Sequence, residues 1–216
     1  MTVTKDDVSI FADYCVYVRS VYMHGKTLFE TVDQAGKDIL TNAAPVFFGD
    51  INKVLIEYVI LQVCKVTDPA KDLRGNYNHT TEFFVKETNF SCDPGKARRL
   101  AELHASMQNI RAKIKPARDK VISHLDRDTI RAKTILGVAS NEEWQRFWRD
   151  IEEFVAILYE RYVSSPPIHI RSVTGITDTL MLKNALRKGT YFDKLVHGND
   201  KEISKKCLDI ALDDRS

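Results

Sequence analysis

Apolar residues recur along this chain at helical spacing, and no stretch alternates as a strand does. Thr4-x-x-Asp7 reads as an imperfect capping box. Val8, Phe11, Cys15, Val18, Tyr22, Leu28 and Val32 then form one stripe. Pro45 opens a second helix through Phe48, Ile51, Leu55, Tyr58, Gln62 and Val66, and its apolar residues fall on more than one face, which predicts a central position. Thr67-Asp68-Pro69 stops it, because proline cannot continue the hydrogen-bond ladder and pushes the preceding residue out of helical backbone. A loop over 67–81 and a short helix from Thr80 to Glu87 follow. Asp93-Pro94 is a cap with a proline in the first turn, and Ala97, Leu100, Leu103, Met107, Ile110 and Ile114 keep one face beyond it. Pro116 interrupts or kinks that helix, so 116–126 is its continuation or a fresh helix. Ser140-Asn-Glu-Glu143 is a full capping box before Trp144, Phe147, Trp148, Ile151, Val155, Leu158 and Tyr162. Ser164-Ser165-Pro166-Pro167 ends that run, and a shorter helix from about Asp178 to Lys188 and an amphipathic piece near 200–212 complete the chain.

The expected fold is all-α: an up-and-down-like bundle of four longer helices plus short ones. A length of 216 residues fits one domain, 1–216, with 164–216 as a loop and short-helix extension. Such a length buries a core without disulfides or a structural metal. Of the four cysteines, Cys15, Cys64 and Cys207 fall on apolar helical faces and Cys92 does not. None forms a Cys-x-x-Cys pair, so buried thiols in a reducing, cytoplasmic setting are expected. The N-terminus has no apolar signal core, and the most apolar run, Val54 to Cys64, contains Glu57, so no membrane association is expected.

The net charge of +2 selects no partner by itself, but its distribution is uneven. Between Lys96 and Lys133, eleven lysines and arginines stand against four acids. Such a segment attracts a polyanion or forms a solvated helix face. Within it lies Arg118-Asp-Lys-Val-Ile-Ser-His-Leu-Asp126. An arginine holds a phosphate through parallel hydrogen bonds, and a histidine moves protons near neutral pH. On an ideal helix Arg118 and His124 are separated by about 9 Å of rise and roughly 240° of rotation, so one straight helix does not display them together. Either the long arginine sweeps the gap or a two-fold dimer builds a composite site. The competing reading makes Arg118 an exposed helix cation and His124 a C-terminal cap favoured by the helix dipole.

Other chemistry is thin. His104, beside Leu103, reads as a surface or boundary histidine. His79, His169 and His197 lie in loop-like sequence with no metal-ligand spacing. Trp144 and Trp148 read as core, and phosphate-loop, dinucleotide and nucleophile-elbow motifs are absent. Neither a metal nor a cofactor is expected.

The Arg118–Asp126 stretch resembles the signature of the HEPN superfamily: an arginine, a polar residue directly after it, a short spacer and a histidine. The nearest branch is the abortive-infection U-type, and Val63-Cys-Lys-Val-Thr-Asp-Pro69 at the end of an apolar helix is similar to that branch as well. The resemblance extends over roughly residues 10–165. It implies an all-α bundle, often a homodimer with its site at the interface, and metal-independent cleavage of RNA by 2′-hydroxyl attack in phage defence or a toxin system, with an antitoxin protein as a possible partner. Arg118 and His124 carry the motif's catalytic roles, with Asp119 as the third position. Asp119 replaces the usual asparagine, and an ionised aspartate donates no hydrogen bond and repels phosphate. Lys113, Lys120, Arg127 and Arg131, together with Arg111, are the expected contacts to the RNA backbone. The other reading is a non-catalytic helical module that binds RNA or a protein partner.

Overall fold

Residues 2–31, 34–124, 126–132, 136–163 and 176–197 are described by a computed structural model, in which the regular elements are helical. They are α1 (Lys5–Gly25), a π-helical turn (Lys26–Glu30), α2 (Gln34–Ala43), α3 (Pro45–Val66), α4 (Thr81–Glu87), α5 (Pro94–Ala117), a second π-helical turn (Arg118–Ile122), α6 (Arg127–Arg131), α7 (Asn141–Tyr162) and α8 (Ile176–His197). The one β feature among the described residues is an isolated bridge between Lys71 and Tyr77. The all-α expectation therefore holds.

The helix starts are set by local chemistry. The Thr4 hydroxyl accepts from the Asp7 amide at 3.2 Å while the Asp7 carboxylate accepts from the Thr4 amide at 2.8 Å. Thr80, Asp93 and Ser140 cap α4, α5 and α7 in the same way, and Glu143 returns the Ser140 bond. Each such cap satisfies amides that no intrahelical carbonyl can reach, and is worth about 0.5–2 kcal/mol.

Three boundaries differ from the sequence reading. The first stripe does not continue as one helix to residue 32. Glycine weakens the ladder at Gly25, the backbone widens so that Thr31 N–H reaches the Lys26 carbonyl at 2.9 Å, and α2 starts separately. At the other end, α8 is not a short helix over 178–188. It runs for 22 residues through Gly189 and takes in His197, since one glycine costs a helix interior only about 1 kcal/mol. The short helix α6 has no counterpart in the hydrophobic pattern. The loop after Ser164, His169, and the piece at 200–212 with Cys207 lie outside the described residues.

The chain divides into two compact units. The first draws on Met1–Tyr22 and Val54–Thr174. Here α5 packs along α7 and α4 packs on α5. Its centre is aromatic: Phe11, Phe83, Phe84 and Phe154 are almost fully buried. Phe11 meets Phe84 at 4.8 Å between ring centroids and Phe154 at 6.1 Å, and Phe83 meets Phe84 at 5.0 Å. Each ring contributes about 1.5–3 kcal/mol by leaving water, with a further increment from tilted pairing. Trp148 is buried and Trp144 partly so, both against Tyr22, as core packing requires. Cys15 and Cys64 are buried thiols here, as expected. Burial pushes the Cys15 thiol well above its usual range. The second unit draws on Met23–Lys53 and Gly175–Ser216. In it α8 packs on α2 and on the first π turn, with Leu28, Leu40 and Phe48 buried and His24 Nδ1 at 2.6 Å from the Thr179 hydroxyl.

One loop contact is made directly on the helix end that carries Arg118. Gly137 has φ +79°, a conformation that suits glycine. A β-carbon there would lie 2.8 Å from that of Ala117, the residue before Arg118. Gly137→Ala is therefore expected to destabilise the protein by about 1–3 kcal/mol through backbone strain and overpacking. Urea unfolding measures it, and unchanged stability would show that this approach is not tight.

Candidate active site

Two arginines on α5 and the following turn define the site. Arg111 and Arg118 are seven residues apart, close to two helical turns, so they share one face about 10 Å apart along the axis. Both reach the same carboxylate. Arg118 Nη1 donates to both oxygens of Asp68, at 3.0 and 3.3 Å, and Arg111 Nη2 donates to Asp68 Oδ1. Asp68 is itself fixed by the end of α3. The Thr67 hydroxyl donates to the Val63 carbonyl at 2.7 Å, the Asp68 amide donates to the Lys65 carbonyl at 3.3 Å, and Gln108 of α5 donates to the Thr67 carbonyl at 2.9 Å. A carboxylate at a helix C-terminus opposes the helix dipole, and the two guanidinium groups offset that repulsion. The two stretches that carry the family resemblance, residues 63–69 and 118–126, thus meet through the Asp68–Arg118 pair.

Asp119 completes the cradle. Arg118 Nε donates to Asp119 Oδ1 at 2.7 Å, and Lys115 Nζ donates to Asp119 Oδ2. The Lys115 hydrogen bond, then that of Arg118, hold the Asp119 carboxyl below the usual carboxylate range despite partial burial. Burial disfavours charge on Arg118, but Asp119 and Asp68 outweigh it and raise its pKa. The guanidinium is thus held on two edges, and its Nη2 has no partner among the described residues. Beneath it, Cys64 is buried, and burial pushes its thiol up to about 11 even though Arg118 and Arg111 pull it down. Cys64 is a packing residue and not a nucleophile at neutral pH.

Backbone geometry shapes the rest. Pro116 lies inside α5 and removes one rung of its ladder. Two residues later the helix widens, with Ser123 N–H reaching the Arg118 carbonyl at 2.8 Å. One wide turn inserts about one residue, which rotates the chain beyond it by roughly 100° from the ideal register. The segment 116–122 is therefore a continuation of α5, in a different helical form. His124 comes next at a bend, exposed, with no hydrogen bond or salt bridge among the described residues. The Asp126 amide then bonds the Lys120 carbonyl at 2.9 Å, and Asp126 Oδ1 accepts from the Thr129 amide at 2.9 Å to start α6. His124 is not a helix cap.

The basic stretch is largely neutralised. Lys96 pairs with Glu160, Arg99 with Glu153, Arg98 with Glu102, and Lys113 with Glu143 of α7. Lys120, Arg127 and Arg131 are exposed and form no salt bridge among the described residues, so they are the expected backbone contacts whose charge stays open. No group of three His, Cys, Asp or Glu converges to hold a metal among the described residues. His104 is half-buried, bonded to the Thr81 hydroxyl at 2.9 Å, and burial lowers its pKa.

Arg111 stands out in the basic stretch of the sequence and Asp68 falls within a motif, but no local pattern gives Asp68 or Lys115 a functional role. The helical spacings 111/118 and 115/119 are the signals that point to the cluster. Nothing local indicates that Asp68 lies against α5.

A model of the HEPN family described as AbiU2 matches residues 10–165, which include Asp68, Arg111, Arg118, Asp119 and His124. No curated protein and no solved structure matches the chain.

Asp68→Asn keeps the shape but removes the charge that separates two poorly exposed guanidinium groups. The expected loss is about 1–3 kcal/mol, because hydrogen bonds to charged groups are stronger than neutral ones. Chemical unfolding checks it, and a variant as stable as the parent would show that the carboxylate does not hold the site.

Proposed function

The chain belongs to the AbiU2 family of HEPN proteins, and from that premise we propose that it is a metal-independent endoribonuclease. The observation that carries this reading is the Arg118 guanidinium, oriented by Asp68 and Asp119 with Nη2 uncommitted, one wide turn before an exposed histidine. In the proposed reaction the ribose 2′-oxygen attacks the adjacent phosphorus and the bond from phosphorus to the 5′-oxygen breaks. His124 exchanges one proton, taken from the 2′-hydroxyl or given to the leaving 5′-oxygen, and water exchanges the other, leaving a cyclic phosphate and a 5′-hydroxyl end. Arg118 Nη2 binds the phosphate and stabilises its growing charge. Asp119 does not touch the phosphate in this scheme. It accepts from Arg118 and Lys115, a role for which aspartate is better suited than asparagine. Lys120, Arg127 and Arg131 track the RNA strand, while Lys113 joins them only by releasing Glu143.

The rotation between Arg118 and His124 supports a homodimer in which two copies of 116–126 enclose one cleft. Val121 on the π turn is one-third exposed and supplies apolar surface for it. We propose a cytoplasmic role in phage defence or a toxin system, with an antitoxin protein as a possible partner. The neutralised basic stretch favours a second reading, a non-catalytic module that binds RNA or a protein.

Purified protein incubated with RNA in EDTA tests the assignment. His124→Ala is expected to lower cleavage by about 10²–10⁴-fold, or roughly 3–5 kcal/mol of barrier, with folding and RNA binding retained. Arg118→Ala is expected to abolish cleavage and also weaken binding. Full cleavage by His124→Ala would sink the catalytic role, and bound but uncleaved RNA in the parent would establish the second reading. Sedimentation is expected to show a dimer at micromolar concentration, and a monomer would refute the composite cleft.

A further inference from the structure

A cavity of about 500 Å³ in the first unit is lined in part by Asp68. That volume falls in the range of about 300–1,000 Å³ typical of small-molecule sites. Tyr14 of α1, Lys65 and Asp68 at the end of α3, and Tyr77, Asn78 and His79 of the following loop line it. The loop is rigidly built. Lys71 and Tyr77 form a bridge, Asp72 Oδ1 accepts from the amides of Arg74 and Asn76 at 2.8 Å each, and the Asn78 amide bonds the Ala70 carbonyl at 2.9 Å. His79 is held by Asp7 at 2.7 Å. The rings are therefore in place before any ligand arrives, which lowers the ordering cost of binding.

The lining has a specific chemistry. Four aromatic rings, Phe11, Tyr14, Tyr77 and His79, line it, and the Lys71 ammonium lies over the Tyr77 ring, 4.4 Å from its centroid. The Asn78 side chain has one long bond, 3.4 Å from Nδ2 to the Pro69 carbonyl, and its Oδ1 accepts none among the described residues. A carboxamide in that state presents a donor and an acceptor side by side, as the hydrogen-bonding edge of a base requires. Lys65 is exposed, without a salt bridge among the described residues, and can meet a phosphate. Asp68 borders the cavity and also holds Arg118, so the cavity and the guanidinium are joined through one carboxylate.

We propose that this cavity is the base-recognition pocket of the site, taking an unpaired nucleobase of the RNA strand next to the phosphate held by Arg118. The proposal rests on the ribonuclease reading for its orientation. Tyr77 and His79 supply stacking, and Asn78 sets which base is preferred.

The test uses the full chain with His124→Ala, so that RNA is not consumed, and measures binding of fluorescent single-stranded oligoribonucleotides of each base by anisotropy. A ranked preference among bases is expected. Tyr77→Ala should weaken the preferred strand about ten- to hundredfold, in line with the loss of one base–aromatic stack, and Tyr77→Phe should restore it. Asn78→Asp, which cannot donate when ionised, should change the order of preference and not merely the affinity. If the parent cleaves RNA while both substitutions leave affinity and base order unchanged, the pocket is refuted and the ribonuclease stands. If RNA is bound with a base order that Asn78→Asp alters but the parent never cleaves it, the pocket stands and the ribonuclease falls. Failure to bind any of the strands would overturn both.

Discussion

The carboxylate of Asp68 is the constraint on which the rest of the site depends. It lies between two guanidinium groups, and one shared anion is what allows Arg111 and Arg118 to occupy one face of a helix with little solvent around them. Each charge alone would be costly to bury, and together they form a partly dehydrated cluster in which each side chain is hydrogen-bonded, with Arg111 Nε left without a partner among the described residues. The cluster also links the end of α3 to the end of α5, so helix packing and the orientation of Arg118 are one arrangement. Gln108, by bonding the Thr67 carbonyl, joins the same two helices a turn earlier.

Dividing one guanidinium between two acceptors leaves its Nη2 without a partner among the described residues, although the site holds two aspartates. Arg118 gives Nε to Asp119 and Nη1 to Asp68, while Lys115 and Arg111 supply the compensating charges. The carboxylates act as struts for the arginine, with their charges offset by neighbours. A strut that fixes a planar fork reduces the entropy lost when a ligand arrives, because the side chain is ordered beforehand. The cost is a lower net positive charge, and the ion pairs of Lys96, Arg99 and Lys113 reduce the field of the stretch further. Among the described residues of that stretch, the lysines and arginines without a salt bridge are Lys120, Arg127 and Arg131, all close in sequence to His124.

The wide turn after Pro116 gives the site its second dimension. An unbroken α-helix would have carried residues 118–124 along one cylinder with its standard rotation. The change in pitch turns the chain, ends the helix within one turn, and leaves His124 exposed where the backbone curls back through Asp126. Such turns are common where a helix is adapted to a function. Gly137 belongs to the same device, since its missing side chain lets the loop before α7 close on Ala117.

Much of the helical frame was determined by the sequence alone, because caps and periodicity are local. The Ser140–Glu143 box, Asp93-Pro94 and the Leu100–Ile114 face specify their own helices, whatever they later pack against. Arg118, His124 and Asp119 were legible as candidates for the same reason: a short motif carries them. The elements that were missed or mis-bounded, α2, α6 and the length of α8, lack strong local signals and depend on widened turns or tolerated glycines. Tertiary structure alone decided that Asp68, fifty residues before Arg118, would be its partner, and that most of the basic stretch would be neutralised. It likewise decided that Tyr14 would share a cavity with Tyr77. Those are meetings of distant segments, set by how buried faces stack, and no spacing within a single helix encodes them.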